Sequence, residues 1–490
     1  MLYIIRHFRI LLLSITLLFL AISGSRANAD EGIIRRSPEV SFGVYVWKDG
    51  PQIAGGPELK ATGAQWASVF IVWSDIEGMP GVYNWTQTDA LLDSISDNGF
   101  KTIVTIIGNP DWAADTICGP IHEEQLPRFS NFLTAITRRY SAPPYNIKHW
   151  ALYNEPDNSN ANGYFVNWLG GCWGGHHANA LPDAGGAAYA HMLSYAYPAI
   201  KAGDPEANVL LGGLAYDYFS GIDEGGIFDP QFLDDILAAG GGDYFDIINF
   251  HYYKAFDWRW QSETNGIPNP YHQGISSKGW YLQNEVQRQT GKSKPVLCTE
   301  VGDGSREPSG EDRSEFQARY LVQTLIRGYY GGISPTIWFD GVDEMWLPGG
   351  NTMTSMGLLN DDLSPKIAYL AYQTLTRELA GAHFVRTRED LGLRFEGYEF
   401  EVQGRSKLVL WDSESGQHTI SLAISKPGGT LRVVEKTGQD LKIVDGSGLD
   451  KDGLKNGYVE VIVSRSPRYY EDLSIPLHTE HLFLPVLHTR

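Results

Sequence analysis

Between Phe42 and Phe339, short runs rich in β-branched and aromatic residues alternate with longer stretches of helical period. Eight short runs read as strands: Phe42–Val46, Trp66–Val72, Thr102–Ile107, His149–Tyr153, Val209–Gly213, Phe245–Phe250, Pro295–Thr299 and Ile333–Phe339. Between them, Thr88 to Asn98 places Leu91, Leu92 and Ile95 on one helical face, and Leu126 to Tyr140 does the same with Phe129, Phe132, Leu133 and Ile136. Ala187 to Ala202 stops at Gly203-Asp204-Pro205, and Glu315 to Tyr329 and Ile367 to Leu379 complete the helices that the period predicts. Strand-helix alternation of this kind builds a parallel sheet from βα units. Eight such strands predict a TIM (β/α)8 barrel, in a span somewhat above the ~250 residues usual for one.

After Gly381 the pattern changes to short alternating strands, among them Leu408–Trp411, His418–Ile424, Leu431–Val434 and Tyr458–Val463. Gly, Asp and Ser turns separate them, as in a small antiparallel β-sandwich. At the other end, Arg6 and Arg9 precede the apolar run Ile10 to Ile22, and Ala27-Asn28-Ala29 has signal-peptidase spacing. The run is shorter than the ~20 residues of a spanning helix, so export with cleavage before Asp30 is expected over an uncleaved anchor. The organisation expected is a signal peptide at 1–29, a catalytic barrel at 30–380, an accessory β-sandwich at 381–475 and an apolar tail at 476–490.

The candidate chemistry sits where strands stop. Trp150-Ala151-Leu152-Tyr153 ends in Asn154-Glu155-Pro156, and Pro295 to Thr299 ends in Glu300. Pro156 lacks the N–H a central ladder needs. A carboxylate at the C-terminal end of a barrel strand stands at the face where barrel enzymes do their chemistry. Two glutamates ending two separate strands make the arrangement glycoside hydrolysis requires: one protonates the departing oxygen, while the other attacks or activates water from the opposite face.

With Asn154-Glu155-Pro156, Thr299-Glu300-Val301-Gly302, His251-Tyr252-Tyr253 and Trp73-Ser74-Asp75-Ile76-Glu77 in this order, the sequence resembles glycoside hydrolases of clan A, most closely family 39 and its relatives. The resemblance covers roughly Ser41 to Thr376. It implies a retaining double displacement with Glu155 as general acid/base and Glu300 as nucleophile, and Asn154 on the sugar 2-hydroxyl. It also implies His251 and Tyr253 beside the nucleophile and Trp338 as a sugar platform. Trp47 and Trp112, at the ends of strands one and three, are further candidates for substrate binding. One position departs: Ser68 stands where many clan members carry an arginine that supports the nucleophile. The resemblance also implies that the C-terminal domain is docked on the barrel; an independent carbohydrate-binding module is the alternative.

Composition narrows the partners. A net charge of −19 argues against nucleic acid and anionic membranes. Of three cysteines, Cys298 lies inside an apolar strand, whereas Cys118 and Cys172 lie in Gly-rich loops and could pair in an oxidising compartment. No Cys/His zinc spacing is present, so neither metal nor cofactor is expected. The reading is a secreted O-glycoside hydrolase acting on poly- or oligosaccharide. The alternative is a carbohydrate-binding barrel without catalysis.

Overall fold

The computed structural model describes residues 41–160, 171–215, 227–254, 260–264, 267–306, 311–343 and 355–475. The expected signal segment and the apolar tail lie outside them. Eight parallel strands form one sheet: β1 (Phe42–Tyr45), β2 (Trp66–Val72), β3 (Lys101–Ile107), β4 (His149–Leu152), β5 (Asn208–Leu210), β6 (Ile248–Tyr253), β7 (Val296–Gly302) and β8 (Ile333–Trp338). Hydrogen-bonded neighbours run β5-β4-β3-β2-β1-β8-β7-β6. Isolated parallel bridges, Leu210↔Ile247 and Leu214↔Phe250, close the ring between β5 and β6. This is the (β/α)8 barrel that the alternation predicts.

Side-chain alternation along each strand separates two cores. Tyr45, Phe70, Ile103, Ala151, Leu210, Leu297 and Ile337 meet in the barrel interior. Their neighbours Val44, Ile71, Val104, Leu152 and Trp338 face outward into the layer packed against the helices. Those helices are α1 (Gly56–Ala61), α2 (Thr86–Asp97), α3 (Leu126–Tyr140), α4 (Gly186–Gly203), α5 (Phe232–Ala238), α6 (Ile275–Thr290), α7 (Ser314–Tyr330) and α8 (Ile367–Glu378). Asp89 of α2 binds Arg139 and Tyr140 of α3 at 2.7 to 2.9 Å, and Trp85 stacks on Phe132.

Several elements differ from expectation: helices α1 and α5 are additions, and β5 ends at Leu210, before the expected Gly213. The stretch from Tyr252 to Lys292, where the helical period predicts none, contains the helix α6. Strand β6 starts at Ile248, three residues later than the sequence pattern suggests. The Asp246 carboxylate before it is occupied as an acceptor for Val209 N–H at 2.9 Å and as an ion-pair partner of Lys201 at 2.8 Å. His251 and Tyr253 therefore belong to the strand itself and share its inward face with Asn249.

The C-terminal part is a six-stranded antiparallel sheet facing a two-stranded one. The strands are β9 (His383–Thr387), β10 (Phe395–Val402), β11 (Arg405–Asp412), β12 (Gln417–Ala423), β13 (Thr430–Glu435), β14 (Asp440–Val444), β15 (Tyr458–Ser464) and β16 (Arg468–Asp472). The order is β9-β10-β11-β16-β13-β14, with β12 paired to β15. Leu408, Leu410, Val433, Leu422, Val459 and Val461, drawn from both sheets, form the core between them.

This sandwich is docked on the barrel. Tyr398, Phe400, Val409, Trp411 and Val434 belong to the same apolar core as the barrel helices. Arg327 of α7 grips the fully buried Glu396 through two bonds of 2.7 Å, while Tyr398 and Trp411 donate to the same carboxylate. Burial raises the Glu378 carboxyl of α8, but Arg432 and Lys407 outweigh it and hold that carboxyl at about 2.

Candidate active site

The two glutamates reach the barrel mouth by different local devices. Beyond β4 the backbone turns left-handed twice, with φ of 61° at Tyr153 and 44° at Glu155. Such conformations cost ~1–3 kcal/mol each in a non-glycine residue and persist only where surroundings impose them. Here the Tyr153 hydroxyl donates to Asn109 Oδ1 at 2.6 Å, Asn158 N–H donates to the Glu155 carbonyl at 3.1 Å, and Gly171 N–H donates to the Asn154 carbonyl. On β7 the register against β6 shifts between Cys298↔Phe250 and Glu300↔His251. The extra residue is a β-bulge, which re-aims side chains next to it. The bulge lets Thr299 and Glu300 both address His251.

His251 is the hub. Its Nδ1 lies 2.9 Å from Glu155 Oε1 and 3.3 Å from Glu300 Oε2. Its Nε2 lies 3.1 Å from Thr299 Oγ1, which itself donates to Asn249 Oδ1 at 2.9 Å. The Tyr253 hydroxyl donates to Glu300 Oε2 at 2.6 Å. Oxygens of Glu155 and Glu300 and a nitrogen of His251 all fall within 4.8 Å of one another. The ring is seated against Gly213, where any Cβ would overlap Nε2.

Burial alone would push His251 down, but the carboxylates of Glu300 and Glu155 outweigh it and its affinity for a proton is raised. The Glu300 carboxyl is raised to about 7 in all: burial pushes it up most, His251 pulls it down, Glu155 pushes it up and Tyr253 pulls it down. Glu300 and His251 thus both have a raised affinity for a proton, and they stand 3.3 Å apart. Glu155, His251 and Glu300 are the one set of metal-ligating groups this close among the described residues. With Nδ1 engaged as a hydrogen-bond donor to both carboxylates, the set is built for proton exchange rather than for a cation.

The other sequence candidates divide. Asn154 is buried beside Glu155 and its backbone bridges to Gly213. Trp47 is half-buried at the mouth, edge-on to Tyr45 at 4.9 Å and Phe339 at 6.2 Å, and its Nε1 donates to Asp340 Oδ2 at 2.9 Å. Trp112 instead packs on Trp73 at 5.4 Å and donates to the Glu77 carbonyl, against the outer core. Trp338 is a correction: its indole is 0 % exposed, faces outward toward Tyr320 of α7, and donates to the Met356 carbonyl. It cannot stack on a sugar; Phe339, one residue on, is the aromatic that faces the interior.

Ser68 is buried on the inward face of β2, level with Tyr45 and Ile103, and the donors on Glu300 come from β6 instead. Cys118 and Cys172 are joined as a disulfide with Cα atoms 5.2 Å apart, tying the loops after β3 and β4, and Cys298 is a buried free thiol. Sequence reasoning did not single out Asn249 or Asp340, and gave Thr299 no role of its own. The strand alternation through Asn249, His251 and Tyr253 was the signal available for the first.

An eight-stranded barrel whose strand ends bring two carboxylates together in this way defines a glycoside hydrolase of clan A. Residues 72–339 match the family model for cellulase (glycosyl hydrolase family 5). The chain belongs to that family. No curated protein matches it. Among solved structures it is similar to a family 39 glycoside hydrolase from Bacteroides cellulosilyticus WH2, at 20% identity, over 90% of this chain and 82% of that one, with a TM-score of 0.67. It is also similar to a glucosidase from Croceicoccus marinus (14% identity, 90% and 97% covered, TM-score 0.58). A third is a monomeric β-xylosidase from Caulobacter crescentus CB15 (15% identity, 89% and 98% covered, TM-score 0.57). At these identities the likeness is one of fold.

Proposed function

We propose that this glycoside hydrolase works by retaining double displacement, with Glu300 as nucleophile and Glu155 as general acid/base. The observation that carries the proposal is that one oxygen of each carboxyl and a nitrogen of one imidazole lie within 4.8 Å of one another. Retaining pairs stand ~5–5.5 Å apart, whereas inverting pairs leave ~6.5–9.5 Å for a water. In the first step Glu300 attacks the anomeric carbon as Glu155 gives its proton to the departing oxygen. In the second, Glu155 takes a proton from water, which displaces Glu300 from the sugar.

The surroundings support this division of roles. Glu300 has two donors, Tyr253 and His251, and such bonds favour the ionised form a nucleophile needs. Glu155 is the more open of the two, with a side chain 24% exposed against 7% for Glu300, as suits a group that meets the leaving group and then water. Glu155 Oε1 lies 2.9 Å from His251 Nδ1, within reach for proton exchange with the imidazole. In this reading half-buried Trp47 gives a sugar ring an apolar face, and Asn154, buried beside Glu155, takes its 2-hydroxyl.

We take the substrate to be a β-linked oligo- or polysaccharide and the compartment to be outside the cytoplasm. The Cys118–Cys172 disulfide fits an oxidising environment, and N-terminal sequencing of exported protein should begin at Asp30. The test of activity is a screen on aryl β-xylosides, β-glucosides and polysaccharides, with Glu300→Ala as control. Wild-type turnover that Glu300→Ala abolishes is expected; turnover equal in both would overturn the assignment.

A further inference from the structure

Lys278 of α6 is 0% exposed, and an ammonium taken fully out of water is costly unless acceptors surround it. Its Nζ donates to the carbonyl of His251 at 2.9 Å and to that of Ala215 at 3.3 Å, and it lies 5.6 Å from the centre of the Phe250 ring. The two carbonyls stand on opposite sides of one seam. His251 is in β6, and Ala215 lies just beyond β5. This is the seam of the barrel closed by isolated bridges rather than a continuous ladder. The ammonium therefore supplies, from the helix side, cross-strand bonding that the backbone does not complete.

The same residue is also held through its N–H. Ala215 N–H donates to both oxygens of Asp157, at 3.2 and 3.1 Å, and Asp157 is likewise 0% exposed. Asp157 is two residues beyond Glu155. The contacts close a circuit: Glu155 to His251 through Nδ1, His251 to Lys278 through its carbonyl, Lys278 to Ala215, Ala215 to Asp157, and Asp157 along the chain to Glu155. The circuit ties β6, the end of β5 and the loop after β4, the elements that carry His251 and Glu155.

We infer that Lys278 is a positioning residue of the active site, holding β6 against the β5 seam so that the His251 imidazole keeps its place between Glu155 and Glu300. The inference rests on the glycosidase reading for its kinetic consequence only. Lys278 also bears on the charge of the imidazole. The groups facing His251 are Glu155 from β4, Glu300 from β7, Tyr253 beside Glu300 on β6, and Lys278 from α6. The two carboxylates favour the imidazolium, and Lys278 opposes it. A side chain that merely filled space would have neither effect.

The test is Lys278→Met, which keeps length and removes the charge and the donors. Misplacement of catalytic groups by ~1 Å costs on the order of 10²-fold. The expected result is a kcat lowered ~10–100-fold per folded molecule with KM within ~3-fold. The second readout does not need activity: NMR titration of histidine-labelled protein, which has 13 histidines, with the His251 signal assigned by its loss in His251→Asn. In Lys278→Met that signal should titrate at higher pH than in wild type. A titration unmoved or moved down, or a kcat per folded molecule within ~2-fold of wild type, overturns the inference. If the Met variant does not fold, Lys278→Gln, which keeps one amide donor, is measured in the same way. Failure of both to fold would assign Lys278 to the fold alone and overturn the positioning role. Wild-type protein that hydrolyses no glycoside would sink the glycosidase reading instead, and the titration would still decide on Lys278.

Discussion

Tyr253→Phe is the cleanest probe of how Glu300 is kept ionised. The change deletes one oxygen and leaves the ring, whose packing against Phe339 at 6.4 Å is unaltered. The lost bond is 2.6 Å long and ends on a buried carboxylate. Hydrogen bonds to charged groups contribute ~1.5–3 kcal/mol net, which at ~1.36 kcal/mol per decade corresponds to ~10–100-fold. Burial has already pushed the Glu300 carboxyl up to about 7, with His251 and Tyr253 pulling against it. Removing Tyr253 takes away a group that favours the ionised form, so the carboxyl moves further up. A nucleophile must be ionised, so activity is lost as pH falls through that value. In the variant the acidic limb of kcat/KM therefore moves to higher pH. The loss is ~10–100-fold below the limb and shrinks above it. The assay is a pH profile of kcat/KM on an aryl glycoside that the wild type turns over. An acidic limb that stays in place, or a loss equal at all pH values, would refute the reasoning.

Glu155→Ala should slow substrates with poor leaving groups by ~10²–10⁴-fold while activated aryl glycosides still load the enzyme; azide should restore turnover, seen as glycosyl azide of retained configuration, and unaided wild-type rates would refute it. Gly213→Ala puts a methyl into the His251 ring, so kcat should fall by more than ~10-fold in protein that still gives a folded circular dichroism spectrum; an unaffected kcat would show that the ring is free to move. Glu378, held at about 2 between the barrel and the sandwich, has its carboxyl lowered on folding. Its contribution is present above the unfolded value near 4.5 and is lost as pH falls toward 2. Glu378→Gln should therefore lower Tm at pH 7 and lose that difference near pH 2; a Tm gap independent of pH would contradict the linkage.

Much of this arrangement was legible in the sequence because it depends on where apolar runs stop. Glu155 and Glu300 each follow a run too short to be a helix, and burial on both faces of a parallel strand makes such runs conspicuous. What escaped depends on register. The indole at 338 and the ring at 339 are both aromatic, and strand period alone decides which faces in; the inward set Ile337 and Phe339 follows from alternation. The bulge that turns both Thr299 and Glu300 toward His251 has no composition signal, since it consists of one extra residue in a continuous apolar strand. Helix α6 escaped because Gly279 and the polar Ser276 and Lys278 occupy buried positions and dilute its apolar period to Ile275, Leu282 and Val286. The glycine lies there because the helix packs close on Ile333. Strands β9 and β14 of the sandwich are edge strands with mostly exposed or half-exposed side chains, and lack the alternation that marks a buried face. Ser68 in place of an arginine was visible; that the answer lies on β6, in Tyr253 and His251, required the geometry.

The stereochemistry of the first-formed product tests the central claim most directly. An aryl β-glycoside that the enzyme cleaves is followed by proton NMR from the first seconds, before the sugar mutarotates. Carboxyl oxygens within 4.8 Å of each other fit the narrow spacing of a retaining pair rather than the wide one of an inverting pair, so the account predicts that the β-anomer appears first and the α-anomer grows in later by mutarotation. The α-anomer appearing first would show single displacement by water, and would contradict a covalent intermediate on Glu300.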